Sequence, residues 1–479
     1  MQILPDVGLT YDDVLLVPQH STVVSRRRLS TATLLTRKLK LSIPIVSANM
    51  DTVTESEMAI AMAREGGIGI IHRFMPVKEQ SQQILRVKKA ESFVVDAPIT
   101  LGPEGTVGDA KRIVEETGTG GLLIVDRDQR LAGIVTTRDL LFENRDERPI
   151  SEVMRRNVVT APPGTSLEEA ERVLHDNRIE KLPLVDGQRR ITGLITLKDI
   201  RKIQEFPLAT KDSRGRLAVG AAVGVKESDL ERVECALEAG ADCIVVDIAH
   251  GDSDLEIQMI RKIRGRFPEA QIIGGNVATA DGTRRLIDAG ADAVKVGVGP
   301  GSICITRVVA GAGVPQLSAV MACAAAARDS GVPIIADGGI RQPGDAAKAI
   351  AAGAATVMVG SLLAGADESP GLVMTRNGHR YKVSRGMASV EATVARKTRE
   401  GEGEVEQEDI DDYVSEGVEA AVPHRGRARE ILTQLVGGFQ SGMSYTGAHS
   451  IAEFQDKAVF MRMTESGLQE SRPHDVEVL

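Results

Sequence analysis

The chain has 479 residues, 42% of them apolar and 26% charged, which is too long for one ordinary domain and ample for a full core. Its net charge of −9, from 58 basic and 67 acidic residues, argues against a nucleic-acid-binding stripe. Apolar runs are strand-sized, and the opening MQILPDVGLTYDD lacks the basic-then-apolar layout of a secretory leader, so the expectation is no membrane contact and a cytoplasmic location. Cys235, Cys243, Cys304 and Cys323 show no metal-type spacing, and reduced thiols are expected.

In chain order, two apolar strand-like runs come first, IPIVSANM and GGIGIIHR. The pattern then changes over residues 92–203. TLGPEGTVGDA at 100–110 aligns with TAPPGTSLEEA at 160–170, and LAGIVTTRDLL at 131–141 with ITGLITLKDIR at 191–201, both at an offset of 60 residues. Each copy reads as a turn, a helix, a short strand (GLLIVD, KLPLVD) and a second strand ending in Thr and Asp. The pair resembles tandem CBS domains, a Bateman module, over 92–147 and 148–203. That resemblance implies regulation by an adenine or guanine nucleotide, with Thr136–Asp139 and Thr196–Asp199 placed for ribose contacts. A pair that only supports assembly is the alternative.

Six further runs follow: LAVGAAVG, DCIVVDIAHG, AQIIGGNVAT, DAVKVGVGPG, PIIADGGI and TVMVGSLLAG. Runs buried on both faces, alternating with amphipathic helices such as KESDLERVECALEAG, argue for parallel strands. Eight runs predict an α/β chain built as a (β/α)8 TIM barrel. Its first two strands lie in residues 1–91, strands three to eight lie in 204–479, and the repeat is inserted after strand two. Sites in such barrels occupy the C-terminal strand ends, where the polar residues of these runs fall.

Cys304 lies there, in the glycine-rich VGVGPGSICITRVVAGAGVPQ just beyond strand six. A free thiol is commonly a small buried hydrophobe, the reading that suits Cys235, Cys243 and Cys323. On an open glycine turn, with the Thr306 hydroxyl two positions on, a nucleophile is the alternative reading. ADGGI at 336–340 and VGSLL at 359–363 follow strands seven and eight, where backbone N–H groups hold phosphate in phosphate-binding barrels. Ser302 and Ser361 offer hydroxyls and Asp337 a ribose acceptor; tight turns alone are the plainer explanation of those glycines.

LTYDDVLLVP, SANMDTVTE, GGIGIIHR, DIAHGDS, GGNVAT, GVGPGSICIT, ADGGI, RGMAS, SEGVEAAVPHRG, QLVGGFQSGMSYTGA and ESRPHDV resemble, in order and over nearly the whole chain, the inosine monophosphate dehydrogenase and guanosine monophosphate reductase family. The resemblance implies that Cys304 attacks C2 of a purine 5′-monophosphate, giving a thioimidate, while hydride passes between C2 and NAD(P). It places Ser302, Asp337, Gly339, Gly360 and Ser361 at ribose and phosphate. Ser47, Met50, Gly386 and Met387 would line the nucleotide pocket, and Asp247, Asn276, Gly297 and Gly299 the dinucleotide. Backbone carbonyls of Gly299, Gly301 and Cys304, with Glu470 of a neighbouring subunit, match a potassium site. Thr306 and Glu416 look like the proton-handling pair, the ordinary loop acid being the alternative for Glu416. A homotetramer or octamer is implied.

The family's dehydrogenases hydrolyse the adduct with water activated by an Arg-Tyr pair on a mobile flap, here about 388–416. Counting back from Glu416 to the matching place lands on Gly403 and Glu404. Arg399 and Tyr413 are 14 residues apart, and Arg380-Tyr381 precedes RGMAS in another element. Losing the water-activating base cripples hydrolysis and leaves hydride transfer possible, which favours GMP reductase. SICITRVVAGAGVPQ, ESRPHDV, the long flap and the inserted pair read like IMP dehydrogenase. Ser384 stands where the family usually carries a phosphate-binding tyrosine. A nucleotide-sensing assembly protein with weak catalysis is a further alternative, against which Cys304, Thr306 and Glu416 speak.

Overall fold

The computed structural model describes residues 3–91, 94–95, 97–198, 200, 205–400 and 414–473, backbone only at 399 and 400. The chain divides into two compact units. One comprises Met1–Ala90, Leu208–Ser213 and Leu217–Leu479; the other comprises Glu91–Pro207 and Arg214–Arg216.

The larger unit is a closed barrel of eight parallel strands in chain order. They are β1 (Ile45–Ser47), β2 (Ile68–Ile71), β3 (Val219–Val223), β4 (Cys243–Asp247), β5 (Ile272–Val277), β6 (Ala293–Val296), β7 (Ile334–Asp337) and β8 (Thr356–Val359). Short β-branched and alanine-rich runs suit this geometry because helices cover one face and barrel side chains the other; β2, β3, β6 and β8 are buried at every position. β2 pairs directly with β3, Gly69 beside Val219, although the whole second unit separates them in sequence. α1 (Ser56–Arg64), α2 (Val77–Ala90), α3 (Asp229–Glu238), α4 (Asp254–Arg266), α5 (Ala280–Ala289), α6 (Gln316–Ala327) and α7 (Pro343–Ala351) follow β1 to β7 in turn, and α8 (Ala428–Tyr445) packs against α7 and α1. Between β8 and α8, an antiparallel sheet of Met374–Arg376, His379–Arg385 and Glu419–Pro423 carries both ends of the segment expected to form the flap.

The smaller unit keeps the sequence repeat element by element. The helix Val107–Thr117 and strands Gly121–Val125 and Leu131–Thr136 return, 60 residues on, as Leu167–Asn177, Lys181–Val185 and Ile191–Thr196. Their N-caps correspond too: the side chain of Thr106 accepts from Asp109 N–H and that of Ser166 from Glu169 N–H. Each copy buries its own cluster, Ala110, Leu122 and Val135 in the first and Ala170, Leu182 and Ile195 in the second. Leu123, Leu131, Ile134 and Leu194 form a cluster shared by both copies, so neither helix-on-sheet unit buries its second face alone.

Among the described residues, no helix is long and apolar enough to cross a membrane. Ile70, fully buried in β2, tests how tightly the barrel interior is packed. Ile70→Ala is expected to lower unfolding free energy by about 2–5 kcal/mol in chemical denaturation.

Candidate active site

β6 ends at Val296, and the chain turns back over the barrel mouth before entering the helical turn Thr306–Val309. Arg307 closes this loop from within, its Nε donating to the Val298 carbonyl at 3.2 Å and its terminal nitrogen to that of Val314 at 2.6 Å. Cys304 stands half-buried on the loop. The other three thiols differ. Burial pushes Cys323 up to about 11, raises Cys243 further, and with neighbouring glutamates raises Cys235. They remain neutral packing groups.

Glu416 reaches the loop because its own segment is woven into it. Ile305 N–H donates to the Glu416 carbonyl (2.9 Å), Val418 N–H to that of Ile303 (3.0 Å), and Glu416 N–H to that of Ala388 (3.0 Å). Gly386 N–H completes the layer by donating to the Val418 carbonyl at 3.1 Å. Gly386 and Gly417 face each other so closely that a Cβ built on either would lie 3.0–3.1 Å from the other's Cα. Any larger residue would force the two strands of chain apart.

The result is a three-residue relay. Thr306 Oγ1 donates to Glu416 Oε2 at 2.7 Å and lies 3.2 Å from Cys304 Sγ. A carboxylate only accepts, so the threonine proton points to Glu416 and the oxygen lone pairs are left for the thiol proton. This orientation draws the proton away from sulfur.

Next to the relay, a cavity of about 200 Å³ is lined by Ser302, Gly339, Ser361, Tyr11, Arg307 and Arg341. Met50 adjoins Gly360, its sulfur 3.4 Å from where a Cβ would stand. Arg385 Nε donates to Asp51 Oδ2 at 2.8 Å, tying the Gly386-Met387 turn to the segment that holds Met50. Ser47, at the end of β1, is wholly buried with its hydroxyl accepting from Thr54 at 2.8 Å. Ser384 is also buried, with its hydroxyl unpartnered. A larger cavity, about 740 Å³, is lined by Arg341, Arg425, Arg429 and residues of α8; it holds none of the reacting groups.

The strand ends converge on a residue that the motif reading passed over. Lys295 of β6 is 2% exposed, and its ammonium lies 2.9 Å from Asp247 Oδ2 and 2.9 Å from Asp337 Oδ2. It also donates to Asn276 Oδ1. Asn276 Nδ2 in turn donates to Asp337 Oδ2 (2.9 Å) and to the Gly297 carbonyl (2.7 Å), and Asn49 Nδ2 donates to Asp247 Oδ2 (2.8 Å). Burial pushes the Asp247 carboxyl up, but the Lys295 ammonium outweighs it and holds the group below its ordinary value. Burial likewise pulls Lys295 down, and the two aspartates more than offset it. One cation thus joins the residue expected at ribose to those expected at the dinucleotide. The available signal was a lysine in the otherwise apolar strand run AVKV, where a charge survives only if paired.

Of the donors expected around potassium, Gly299, Gly301 and Cys304 lie on the thiol loop, and Glu470 is expected from a neighbouring subunit. The Gly301 carbonyl accepts from Cys304 N–H at 3.2 Å. Among the described residues no hydrogen bond or ion pair joins Glu470, exposed at the end of the helix Glu465–Glu470, to Gly299 or the rest of the loop. No step is routed through that ion. Gly403, Glu404, Tyr413, Asp199 and the Arg399 side chain lie outside the described residues.

The thiol relay and the small cavity lie beyond the C-terminal ends of the barrel strands, the place where enzymes of this fold carry their active sites. A family model of the IMP dehydrogenase / GMP reductase domain matches residues 8–474, and the chain belongs to this family of NAD(P)-dependent oxidoreductases. Inosine-5′-monophosphate dehydrogenase of Nitrosopumilus maritimus is 55% identical over 469 residues, 98% of each chain. GMP reductase of Leishmania donovani is 48% identical over 487 residues, 99% of this chain and 98% of its own. A crystal structure of Trypanosoma brucei GMP reductase with a cysteine-to-alanine change, in complex with guanosine 5′-monophosphate, superposes with a TM-score of 0.87 at 48% identity over 98% of each chain.

Lys295→Met strands two partly buried carboxylates, and is expected to cost about 1–3 kcal/mol of stability near neutral pH in chemical denaturation. The lowered pKa of Asp247 means that the pair stabilises the fold above the unfolded aspartate value and that this contribution is lost as pH falls through the folded value. The deficit of the variant should therefore shrink as pH drops below about 4.

Proposed function

We propose that the protein is a GMP reductase, converting GMP, NAD(P)H and a proton to IMP, ammonia and NAD(P)+. The observation that carries this reading is the coupling of Cys304 to Thr306 and Glu416, in a chain with no Arg-Tyr pair at the matching flap position, Gly403-Glu404. The Cys304 thiol passes its proton towards Thr306 and Glu416, and sulfur adds to C2 of the purine. The same relay returns a proton to the exocyclic amine, which leaves as ammonia once the C2–N bond breaks. Asp247 and Asn276 fit the dinucleotide, since their carboxylate and amide are polar groups turned to the mouth and held by Lys295. When bound, the nicotinamide supplies hydride to C2. Release of C2 from sulfur then gives IMP and restores Cys304. Asp337 is placed to hold ribose, and Ser302, Ser361 and the glycine turns to hold phosphate, beside Met50, Gly386 and Met387 at the base.

A second reading is IMP dehydrogenase, favoured by the 55% identity to a relative of that name. In that direction the adduct forms from IMP with hydride leaving, and water must add at C2, with Glu416 through Thr306 as the base at hand. A paired assay separates the two. NAD(P)H oxidation with GMP and release of ammonia, with little XMP from IMP and NAD+, is expected; robust XMP formation reverses the assignment. In either direction Cys304→Ala should lower turnover by at least about a thousandfold while calorimetry still detects nucleotide binding.

The repeated unit is proposed to be a CBS pair binding a regulatory adenine or guanine nucleotide. In support, the two copies keep the same helix-and-strand unit 60 residues apart and share one apolar cluster. Adding ATP or GTP to the full chain should change activity or oligomer size. A homotetramer or octamer in the cytoplasm completes the proposal, and the 85% exposed Val308 beside the thiol loop suits a subunit contact.

A further inference from the structure

Glu256, like Asp345, is a fully buried carboxyl that the chemistry above leaves unused. It is fully buried on α4, with its Oε1 accepting from Gly275 N–H at 2.9 Å and its Oε2 unpartnered. Its place in sequence suggests another role. Ser253 caps α4 and accepts from the Glu256 N–H, and a glutamate three residues after such a cap usually reaches back to the cap's own N–H. Here the side chain turns inward to β5 instead. Room for it is made by Gly274, where a Cβ would come within 3.2 Å of Oε1 and 2.8 Å of Ile260. Burial, and to a lesser extent the Asp247 charge, push Glu256 well above the carboxylate range. An isosteric amide keeps the oxygen that accepts from the Gly275 N–H, so Glu256→Gln preserves the contact.

The residue it holds is the hinge of the strand end. Gly275 pairs with Lys295 across the ladder, and the register between β5 and β6 slips between Gly275 and Val277. That irregularity turns Asn276 into the mouth, where its amide meets Lys295, Asp337 and the Gly297 carbonyl. A slipped ladder is locally weak; on its β5 side the Glu256 carboxyl grips the Gly275 N–H, and on its β6 side the Gln316 amide donates to the Val296 carbonyl at 2.8 Å.

We infer that Glu256 is a positioning residue for the dinucleotide pocket: by gripping the Gly275 N–H it fixes the backbone that aims Asn276. The inference rests on the reading of Asp247 and Asn276 as dinucleotide contacts, but not on the direction of the reaction.

The test is direct calorimetric binding of NAD(P)H and, separately, of GMP and IMP to the full chain, with no turnover required. Glu256→Gln keeps the acceptor and should bind both ligands as the unaltered protein does. Glu256→Asp, one methylene short of Gly275, and Glu256→Leu should lose about tenfold in dinucleotide affinity, with purine nucleotide affinity changed less than about twofold because Asp337 keeps Lys295. Should the leucine variant not fold, the aspartate variant carries the test. Wild-type dinucleotide binding by Glu256→Asp, equal loss of both ligands, or loss in Glu256→Gln would each overturn the inference. Failure of the unaltered protein to bind any dinucleotide would instead overturn the functional reading.

Discussion

The site depends on one constraint: a carboxylate must be held against a hydroxyl two residues from a thiol although 110 positions separate Thr306 and Glu416 in the chain. Backbone hydrogen bonding, not the side chains, meets it. The 415–418 segment lies as a strip between the thiol loop and the Gly386 turn, bonded to both. Once the strip is seated, the Thr306–Glu416 distance follows from the covalent geometry. Because the strip leads directly into the antiparallel sheet through Arg385 and Glu419, flap base and thiol loop form one hydrogen-bonded body.

A second polar assembly organises the opposite part of the mouth. Lys295 bridges the carboxylates of Asp247 and Asp337 at the strand ends, and Asn49 and Asn276 add further donors to them. In a low-dielectric barrel such a cluster is stable only when its members are satisfied, so it acts as a rigid frame joining three adjacent parts of the mouth.

Much of this was legible from residues. The eight apolar runs did close into a barrel in chain order, because runs buried on both faces suit parallel strands and few other elements. The 60-residue repeat survives down to corresponding caps and core positions, since identical spacing of alanine and leucine buries the same face twice. Cys304, Thr306 and Glu416 do come together. Lys295 stands out only as a charge in an apolar run and Glu256 only as the third residue after the Ser253 cap; their roles were not legible, because they depend on which strand and helix lie opposite. Ser47 illustrates the reverse: it belongs to a motif, yet its hydroxyl is engaged by Thr54 inside the barrel.

The direct pairing of β2 with β3 has an evolutionary consequence. Because the cylinder closes across that junction without help from the intervening 91–207 stretch, the stretch behaves as a graft at a single connection. An inserted unit could be acquired, exchanged or shed there while the barrel kept its hydrogen-bonded wall, so insert and barrel are free to diverge at different speeds within one lineage.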